Sequence, residues 1–261
     1  MGLFDKLFTK KICDFCGGEI GLLGNRKLED GNMCKHCARK LSPWFEDRRT
    51  STIVEINEQL AYREANKEKV AAFHVSRTMG QDTKVLLDED AGVFMVTDED
   101  DLEEANPDVI TFSDVTGCEL EIDEDEREIK KTGEDGKQVS YNPPRYTYYY
   151  SFYININVRN PYFDEIRFRL NGPSVEIEAP AGRRAGRGLI QFDPARDVEY
   201  CRYKEMGEEI RDALMQNRQL AREEITVAAT PNTTVTCPYC GAKTTPDVSG
   251  CCEYCGGTVN N

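Results

Sequence analysis

Between residues 73 and 178, hydrophobic positions recur at every second residue, which is the pattern of β-strands with one buried face. Turn-forming residues such as Asn171-Gly172-Pro173 separate the segments. The pattern predicts about seven strands, in antiparallel style. They lie at Lys84–Leu87, Gly92–Val96, Val109–Phe112, Cys118–Ile122, Tyr146–Val158, Ile166–Leu170 and Ser174–Ile177.

Two segments have a helical period instead. The first begins at a capping residue, Ser51 or Thr52, and runs to about Phe73. Its apolar stripe is thin and consists of Ile53, Ile56, Leu60 and Ala71. The second runs from about Val198 to Glu224, and its apolar residues at helical spacing are Met206, Ile210, Leu214 and Leu220.

Strands followed by one amphipathic helix favour an α+β domain, in which the helix covers a small antiparallel barrel or a bent sheet. This order resembles the pleckstrin-homology-like fold, including its bacterial versions. The resemblance is one of layout, because no sequence motif carries it. It implies a pleckstrin-homology-like domain over residues 73–225.

Three segments show neither period and are expected to be mobile. Residues 123–144 are highly charged, residues 179–188 are rich in Gly and Arg, and residues 226–236 form a polar linker. The second segment contains a small basic group, formed by Arg183, Arg184 and Arg187.

Charge is unevenly distributed along the 261 residues, whose formal net charge is −14. Residues 1–50 hold ten Lys and Arg against seven Asp and Glu, a balance of +3, so the acidity lies in the middle of the chain. An acidic body repels a nucleic-acid backbone, which disfavours nucleic acid as a partner of the whole chain.

Cysteines provide the strongest chemical signal. Eight of the eleven form Cys-x-x-Cys pairs, two near each end of the chain: Cys13 and Cys16, Cys34 and Cys37, Cys237 and Cys240, Cys252 and Cys255. Two such pairs can enclose one tetrahedral metal, and four thiolates make a closed, structural site. Glycine follows three of the four pairs, as a tight turn with positive φ requires. We therefore expect two zinc ribbons.

Three points about these sites stay open at the level of sequence. Iron in a rubredoxin-like site is an alternative to Zn²⁺. Disulfides are another, although residues 1–8 do not resemble a secretory signal and no apolar run spans a membrane, so we expect a reducing, cytoplasmic setting. Cys251 is adjacent to Cys252 and leaves the identity of one ligand undecided.

The N-terminal segment resembles an uncharacterised bacterial family, domain of unknown function 4428. The matching residues are Lys11–Gly17, Gly24–Gly31 and Cys34–Leu41, together with the opening residues 1–8. The resemblance covers about the first fifty residues and implies that Cys13, Cys16, Cys34 and Cys37 are metal ligands. It implies no activity. The C-terminal cysteines resemble a generic bacterial zinc-ribbon tail.

These patterns predict five parts. They are an N-terminal ribbon with a short amphipathic leader at 1–49, a connecting helix at 50–72, the domain at 73–225, a linker at 226–236 and a C-terminal ribbon at 237–261. Short metal modules cannot bury enough apolar surface to fold alone, so the expected role of the metal is folding.

Function is expected to be non-enzymatic. The sequence contains no nucleophile elbow, phosphate-binding glycine loop or metalloprotease helix, and only two histidines. We expect an adaptor or scaffold that recognises a protein partner. The outward half of the aromatic run Tyr148–Tyr153 is one candidate surface.

Two other functions remain open. The N-terminal ribbon could act in a nucleic-acid-associated regulatory factor, through Arg26, Lys27, Lys35, Arg39 and Lys40. Residues 1–11 could attach the protein to a membrane surface, because Leu3, Phe4, Leu7 and Phe8 lie on one side of two helical turns. The oligomeric state is not indicated.

Overall fold

The computed structural model describes residues 11–180, 192–229, 235–245 and 250–259, with side chains in the last helix described as far as residue 223. The chain divides into two compact units, Met1–Arg218 and Gln219–Asn261. The leader at 1–10 and the arginines at 183, 184 and 187 lie outside the described residues.

The first unit begins with a small module that contains the four cysteines of the predicted N-terminal ribbon. It contains β1 (Lys11–Ile12) paired with β2 (Glu19–Ile20), β3 (Asn25–Lys27) paired with β4 (Asn32–Cys34), and the short helix α1 (Lys35–Ala38). The module has a core of its own, to which the helix that follows contributes Ile56. The buried residues of this core are Cys13, Ile20, Leu28, Met33, Cys37, Leu41 and Ile56.

A long helix, α2 (Ile53–Ala72), begins and ends close to the predicted positions and follows a 3-10 turn at Asp47–Arg49. It starts in a capping box, in which Thr52 Oγ1 accepts from the Glu55 N–H and the Glu55 carboxylate accepts from the Thr52 N–H. Its buried face differs from the predicted apolar stripe. That face consists of Ile56, Gln59, Arg63, Asn66 and Val70. Polar residues therefore continue the buried side of this helix.

The first large sheet has the order β5-β6-β7-β8 and is antiparallel throughout. Its strands are β5 (Arg77–Gly80), β6 (Lys84–Asp88), β7 (Val93–Thr97) and β8 (Ile110–Thr111), with the helix α3 (Leu102–Ala105) before β8. Leu86 and Met95 pack against Val70 of α2. Strand β5 was not predicted, because only Met79 of its four residues is buried.

The second large sheet is built around one long strand. Strand β10 (Gln138–Val158) pairs along one edge with β9 (Val115–Thr132), and along its other edge with both β11 (Glu165–Arg169) and β12 (Val175–Glu178). Both large sheets of the described residues are open and antiparallel, so the predicted alternative of a small barrel is wrong.

Residues 123–144 correct a second expectation, since they form most of a β-hairpin and not a mobile loop. The ladder between β9 and β10 continues out to Thr132 and Gln138, with a shift in register between Ser140 and Arg145. Both faces of the strands are mostly exposed here. Charged residues therefore replace the alternation of apolar and polar residues that marks a strand with one buried face. Backbone pairing, which hydrophobic periodicity does not reveal, holds the hairpin together.

The last helix, α4 (Val198–Ala229), covers the buried face of the second sheet within the first unit. The Tyr200 ring lies 4.9 Å from Tyr150 and 5.2 Å from Phe152, between ring centroids. A side chain at Gly207 would meet Leu120, since a Cβ there would lie 2.5 Å from Leu120 Cδ1. The helix ends later than predicted and includes the start of the predicted linker.

The second unit contains a small hairpin, β13 (Val235–Thr236) with β14 (Lys243–Thr244), and an isolated bridge between Cys251 and Thr258. The five predicted domain boundaries stay predictions. Among the described residues, none of the helices has the length and apolar character needed to cross a bilayer.

Candidate metal centres

The first cluster unites four cysteines from three elements. Cys13 follows β1, Cys34 ends β4, and Cys37 lies in α1. The four sulfurs of Cys13, Cys16, Cys34 and Cys37 lie within 4.8 Å of one another. Cys16 Sγ and Cys34 Sγ are 3.8 Å apart. Cys13 and Cys37 are buried, so the cluster is also part of the module's core.

This spacing fits a tetrahedral metal. Zinc–sulfur bonds of about 2.3 Å place two sulfurs of a tetrahedron about 3.8 Å apart. A disulfide would need about 2.05 Å. None of the eleven cysteines forms a disulfide, so the disulfide alternative does not describe this structure.

Three of the four pairs share one local structure. In each, the N–H of the glycine after the second cysteine donates to the carbonyl of the first, at 2.9 Å for Gly17 to Cys13 and for Gly241 to Cys237, and at 2.8 Å for Gly256 to Cys252. The glycines have φ of 70°, 73° and 67° respectively, a region that side chains disfavour. The sequence prediction of tight turns at these positions is confirmed.

The remaining pair has no glycine because it begins a helix. Cys34 is the N-cap of α1, and its sulfur accepts from the Cys37 N–H at 3.3 Å. Helical geometry brings Cys34 and Cys37 together without a residue of positive φ. His36, which lies between them, is exposed and is not part of the cluster.

Backbone donors favour the thiolate form at one sulfur of the first cluster. Burial raises the pKa of Cys13, but N–H groups of Cys34, Phe15 and Cys16 outweigh it and lower that pKa to about 6. Burial and the neighbouring thiols, first of them Cys34, raise the pKa of Cys37. The thiolate is the form that binds a metal.

The second cluster lies in the second unit and has the same dimensions. It consists of Cys237, Cys240, Cys252 and Cys255, again within 4.8 Å of one another. Cys237 Sγ lies 3.6 Å from Cys255 Sγ, and Cys240 Sγ lies 3.8 Å from Cys252 Sγ. Cys252, and not Cys251, belongs to the cluster, which favours the assignment made from the spacing.

The pKa values of the second cluster are uneven as well. For Cys252, burial is outweighed by N–H donors from Cys255 and Tyr254 and by the Thr244 hydroxyl, which lower the pKa to about 6. For Cys255, the Gly257 N–H lowers the pKa, but the thiols of Cys240 and Cys237 raise it to about 12. As in the first cluster, the four sulfurs are close enough to share protons or to bind one cation.

Two of the three other cysteines, Cys118 and Cys201, are held by the surrounding fold. Cys118 is buried in β9, and this burial raises the pKa of its thiol to about 12. Cys201 is half-buried, and its thiol donates to the Ala195 carbonyl at 3.0 Å. Both lie outside the two clusters.

The aromatic run divides between two faces as predicted. Tyr148, Tyr150 and Phe152 are buried, whereas Tyr149 and Tyr153 lie on the opposite face. The outward rings are covered by cations, since Arg127 lies 4.8 Å from the Tyr149 centroid and Arg167 lies 3.9 Å from the Tyr153 centroid. Because these cations cover the rings, less of the Tyr149 and Tyr153 faces is available for contact with a partner.

Sequence reasoning missed a buried polar network between α2 and the segment before β8. Arg63 Nη1 donates to Asp108 Oδ1 at 2.8 Å, and the two side chains are 6% and 0% exposed. Ser42 Oγ donates to Asp108 Oδ2 at 2.7 Å. Arg63 Nε also donates to the Lys40 carbonyl, at 3.3 Å. The sequence did contain a signal for this network, because polar residues occur at the helical spacing of the buried face of α2.

Comparison with known proteins gives one partial match. A family model described as "Domain of unknown function (DUF4428)" matches residues 11–59, which contain the first cluster and the start of α2. Neither the curated proteins nor the solved structures yield a match to the chain. The first cluster therefore lies in a segment similar to the DUF4428 domain, and both clusters could hold metal ions.

Proposed function

We propose that this chain is a non-enzymatic zinc protein in which two Cys₄ sites stabilise small modules and a sheet domain recognises a protein partner. The sulfur geometry carries the metal part of this proposal, since two groups of four thiols have the spacing of a tetrahedral zinc site. Eight free cysteines held at such distances also favour a reducing, cytoplasmic setting.

Elemental analysis of anaerobically purified protein tests the metal. We expect close to two zinc ions per chain and no colour, because zinc has a filled d shell. Iron with visible absorption would show that the clusters are of the rubredoxin type. Absence of metal, with oxidised cysteines, would remove the basis of the proposal.

Two buried groups that could take part in chemistry have structural roles instead, which supports a non-enzymatic function. The buried charge pair, Arg63 with Asp108, is fully engaged in bonds to the protein. The Cys118 thiol is unsuited to nucleophilic chemistry, because burial raises its pKa to about 12. The order of strands and helix also supports a pleckstrin-homology-like body, and an experimental structure would test that assignment.

A groove in the first unit is our candidate for the partner surface. It has a volume of about 980 Å³. Its lining includes a basic pair, Arg39 and Lys40, and an acidic group, Asp98, Glu99 and Asp101. Trp44, the single tryptophan of the chain, lines it too. Aromatic residues beside charges of both signs suit a peptide segment.

Capture experiments with two matched variants test this surface. We expect Trp44→Ala to lose a partner from lysate of the native cells by tenfold or more, roughly the loss typical of a truncated aromatic anchor. Tyr149→Ala, on the outward face of the second sheet, is expected to retain it. A set of captured proteins that does not depend on Trp44 would contradict the assignment of the groove.

A further inference from the structure

The turn between β2 and β3 projects two leucines into solvent. Leu22 and Leu23 are 89% and 90% exposed, the highest values among the large hydrophobic residues of the described chain. They occupy the central positions of a tight turn, in which the Gly24 N–H donates to the Gly21 carbonyl at 2.9 Å. Single exposed apolar side chains are common on protein surfaces and need no explanation. Two adjacent ones form a small contiguous apolar patch, which does.

The base of this turn is fixed in the module's core. Ile20, directly before it, is 8% exposed, and Leu28, after β3, is 0% exposed. Both belong to the same core cluster as Cys13 and Cys37. The leucines are therefore held outward by a base that the metal cluster helps to fix, and turning inward would require the core to rearrange.

Cations surround the base of the turn. Arg26 Nη1 donates to the Leu23 carbonyl at 3.5 Å, and Arg48 Nη1 donates to the Lys27 carbonyl at 2.7 Å. Burial, and then the charges of Arg26 and Arg49, lower the pKa of Arg48. Residues 1–50 have a formal balance of +3, on a chain whose net charge is −14.

Lys11 adds a further cation at the same end of the module. It is paired with Ile20 in the register of β1 and β2, one residue before the turn begins. Residues 1–10, which carry Leu3, Phe4, Leu7 and Phe8, are joined to the chain at this point. A surface contacted by the turn would therefore be near the attachment of the apolar leader.

This combination has the chemistry of a membrane contact. Leucines can enter the boundary between headgroups and acyl chains, while arginines and lysines at the same depth meet lipid phosphates. A nucleic acid would use the cations but would offer nothing to the leucines, since bases stack on aromatic rings. A stable protein interface needs about 800 Å² on each side, more than a two-residue tip provides.

We propose that the Gly21–Gly24 turn, with Arg26, Lys27, Arg48 and Arg49 beside it, binds the surface of a membrane containing anionic lipids. The two leucines enter the interface, and the cations contact the headgroup phosphates. The acidic body is repelled by the same surface, so the charge distribution orients the N-terminal module toward the bilayer. This inference goes beyond the proposed partner recognition and does not require it.

Sedimentation of the full zinc-loaded chain with vesicles tests the proposal. The vesicles contain three parts phosphatidylcholine and one part phosphatidylglycerol, with pure phosphatidylcholine vesicles for comparison. We expect binding to the mixed vesicles that weakens with salt. The double variant Leu22→Ser, Leu23→Ser is expected to bind about 100-fold more weakly, from roughly tenfold per leucine. Arg26→Gln with Arg49→Gln is expected to lose about 20-fold.

Matched controls separate the turn from general hydrophobicity and from the leader. Val75→Ser with Val198→Ser removes apolar side chains that are 49% and 83% exposed elsewhere, and is expected to bind as the original chain does. Zinc content and thermal midpoint are expected to stay unchanged in the leucine variant, because neither leucine is packed. Leu3→Asp with Phe4→Asp is expected to keep most of the binding.

Several outcomes would overturn the proposal. They are absence of vesicle binding by the original chain at low salt, equal binding by the leucine variant, or complete loss of binding when only the leader is changed. Binding to a mixed-sequence oligonucleotide that depends on the arginines but not on the leucines would assign the patch to nucleic acid instead.

Discussion

Replacement of Cys37 by serine is expected to reduce the zinc content from two ions per chain to one and to unfold the N-terminal module. Cys37 is 4% exposed and belongs both to the sulfur cluster and to the core. Structural zinc contributes about 10–16 kcal/mol in zinc-finger peptides, more than a module of this size can replace by packing. Elemental analysis gives the metal content, and trypsin tests folding, since Arg26 and Lys27 lie in β3.

Other cysteines provide the controls for this result. Cys118→Ser changes a buried cysteine outside the clusters, so two zinc ions are expected to remain. In the second unit, Cys252→Ser is expected to remove one zinc ion and Cys251→Ser none, because only Cys252 belongs to the cluster. Retention of two zinc ions by Cys37→Ser would contradict the assignment of Cys37 as a ligand of the first site. Loss of one zinc ion from Cys251→Ser would show that Cys251, and not Cys252, is a ligand of the second site.

Asp108→Asn is expected to destabilise the first unit by about 3–5 kcal/mol, because it leaves the Arg63 guanidinium buried without its counter-charge. The pair lies 2.8 Å apart with side chains that are 6% and 0% exposed. Asp108 also accepts from Ser42 Oγ, so the network joins the end of the metal module to α2. Urea unfolding, followed by Trp44 fluorescence, measures the change in the free energy of unfolding.

An exposed ion pair serves as the matched control. Arg77 Nη2 and Glu209 Oε1 are 2.7 Å apart, close to the 2.8 Å of the buried pair, but their side chains are 39% and 56% exposed. Glu209→Gln is expected to cost less than about 1 kcal/mol, since solvent screens the pair. Equal costs for the two substitutions would show that burial of Arg63 and Asp108 contributes little. A double variant, Arg63→Met with Asp108→Asn, is expected to cost less than the sum of the single changes.

Hydrophobic periodicity located the elements in which apolar residues mark the buried side, and it failed where little of the element is buried. The strands β6, β7, β11 and β12 were located for this reason. The helix at 53–72 was located from its capped start and a thin apolar stripe, although polar residues form much of its buried face. The outer part of the β9–β10 hairpin was expected to be a loop, because both of its faces are solvent-exposed and charged. Its stability comes from a ladder of backbone hydrogen bonds, to which every residue type except proline contributes both a donor and an acceptor.

The composition of the two cysteine clusters could be predicted almost completely, and for a local reason. Each Cys-x-x-Cys pair is formed within four residues, by a turn that a following glycine permits or by the first turn of a helix. Such geometry depends on near neighbours in the chain. The sequence left Cys251 and Cys252 undecided, and the fold favours Cys252 because its sulfur faces the other three.

What the sequence by itself determined was therefore chemistry and local geometry: the two sets of cysteines, the glycine turns, the capped helix and the acidic body. The tertiary structure alone decided which distant residues meet and which apolar residues stay outside. Arg63 and Asp108 are 45 positions apart, and their pairing depends on how α2 packs. Leu22 and Leu23 are as hydrophobic as any core residue, but a tight turn held by the module's core leaves them no surface to cover.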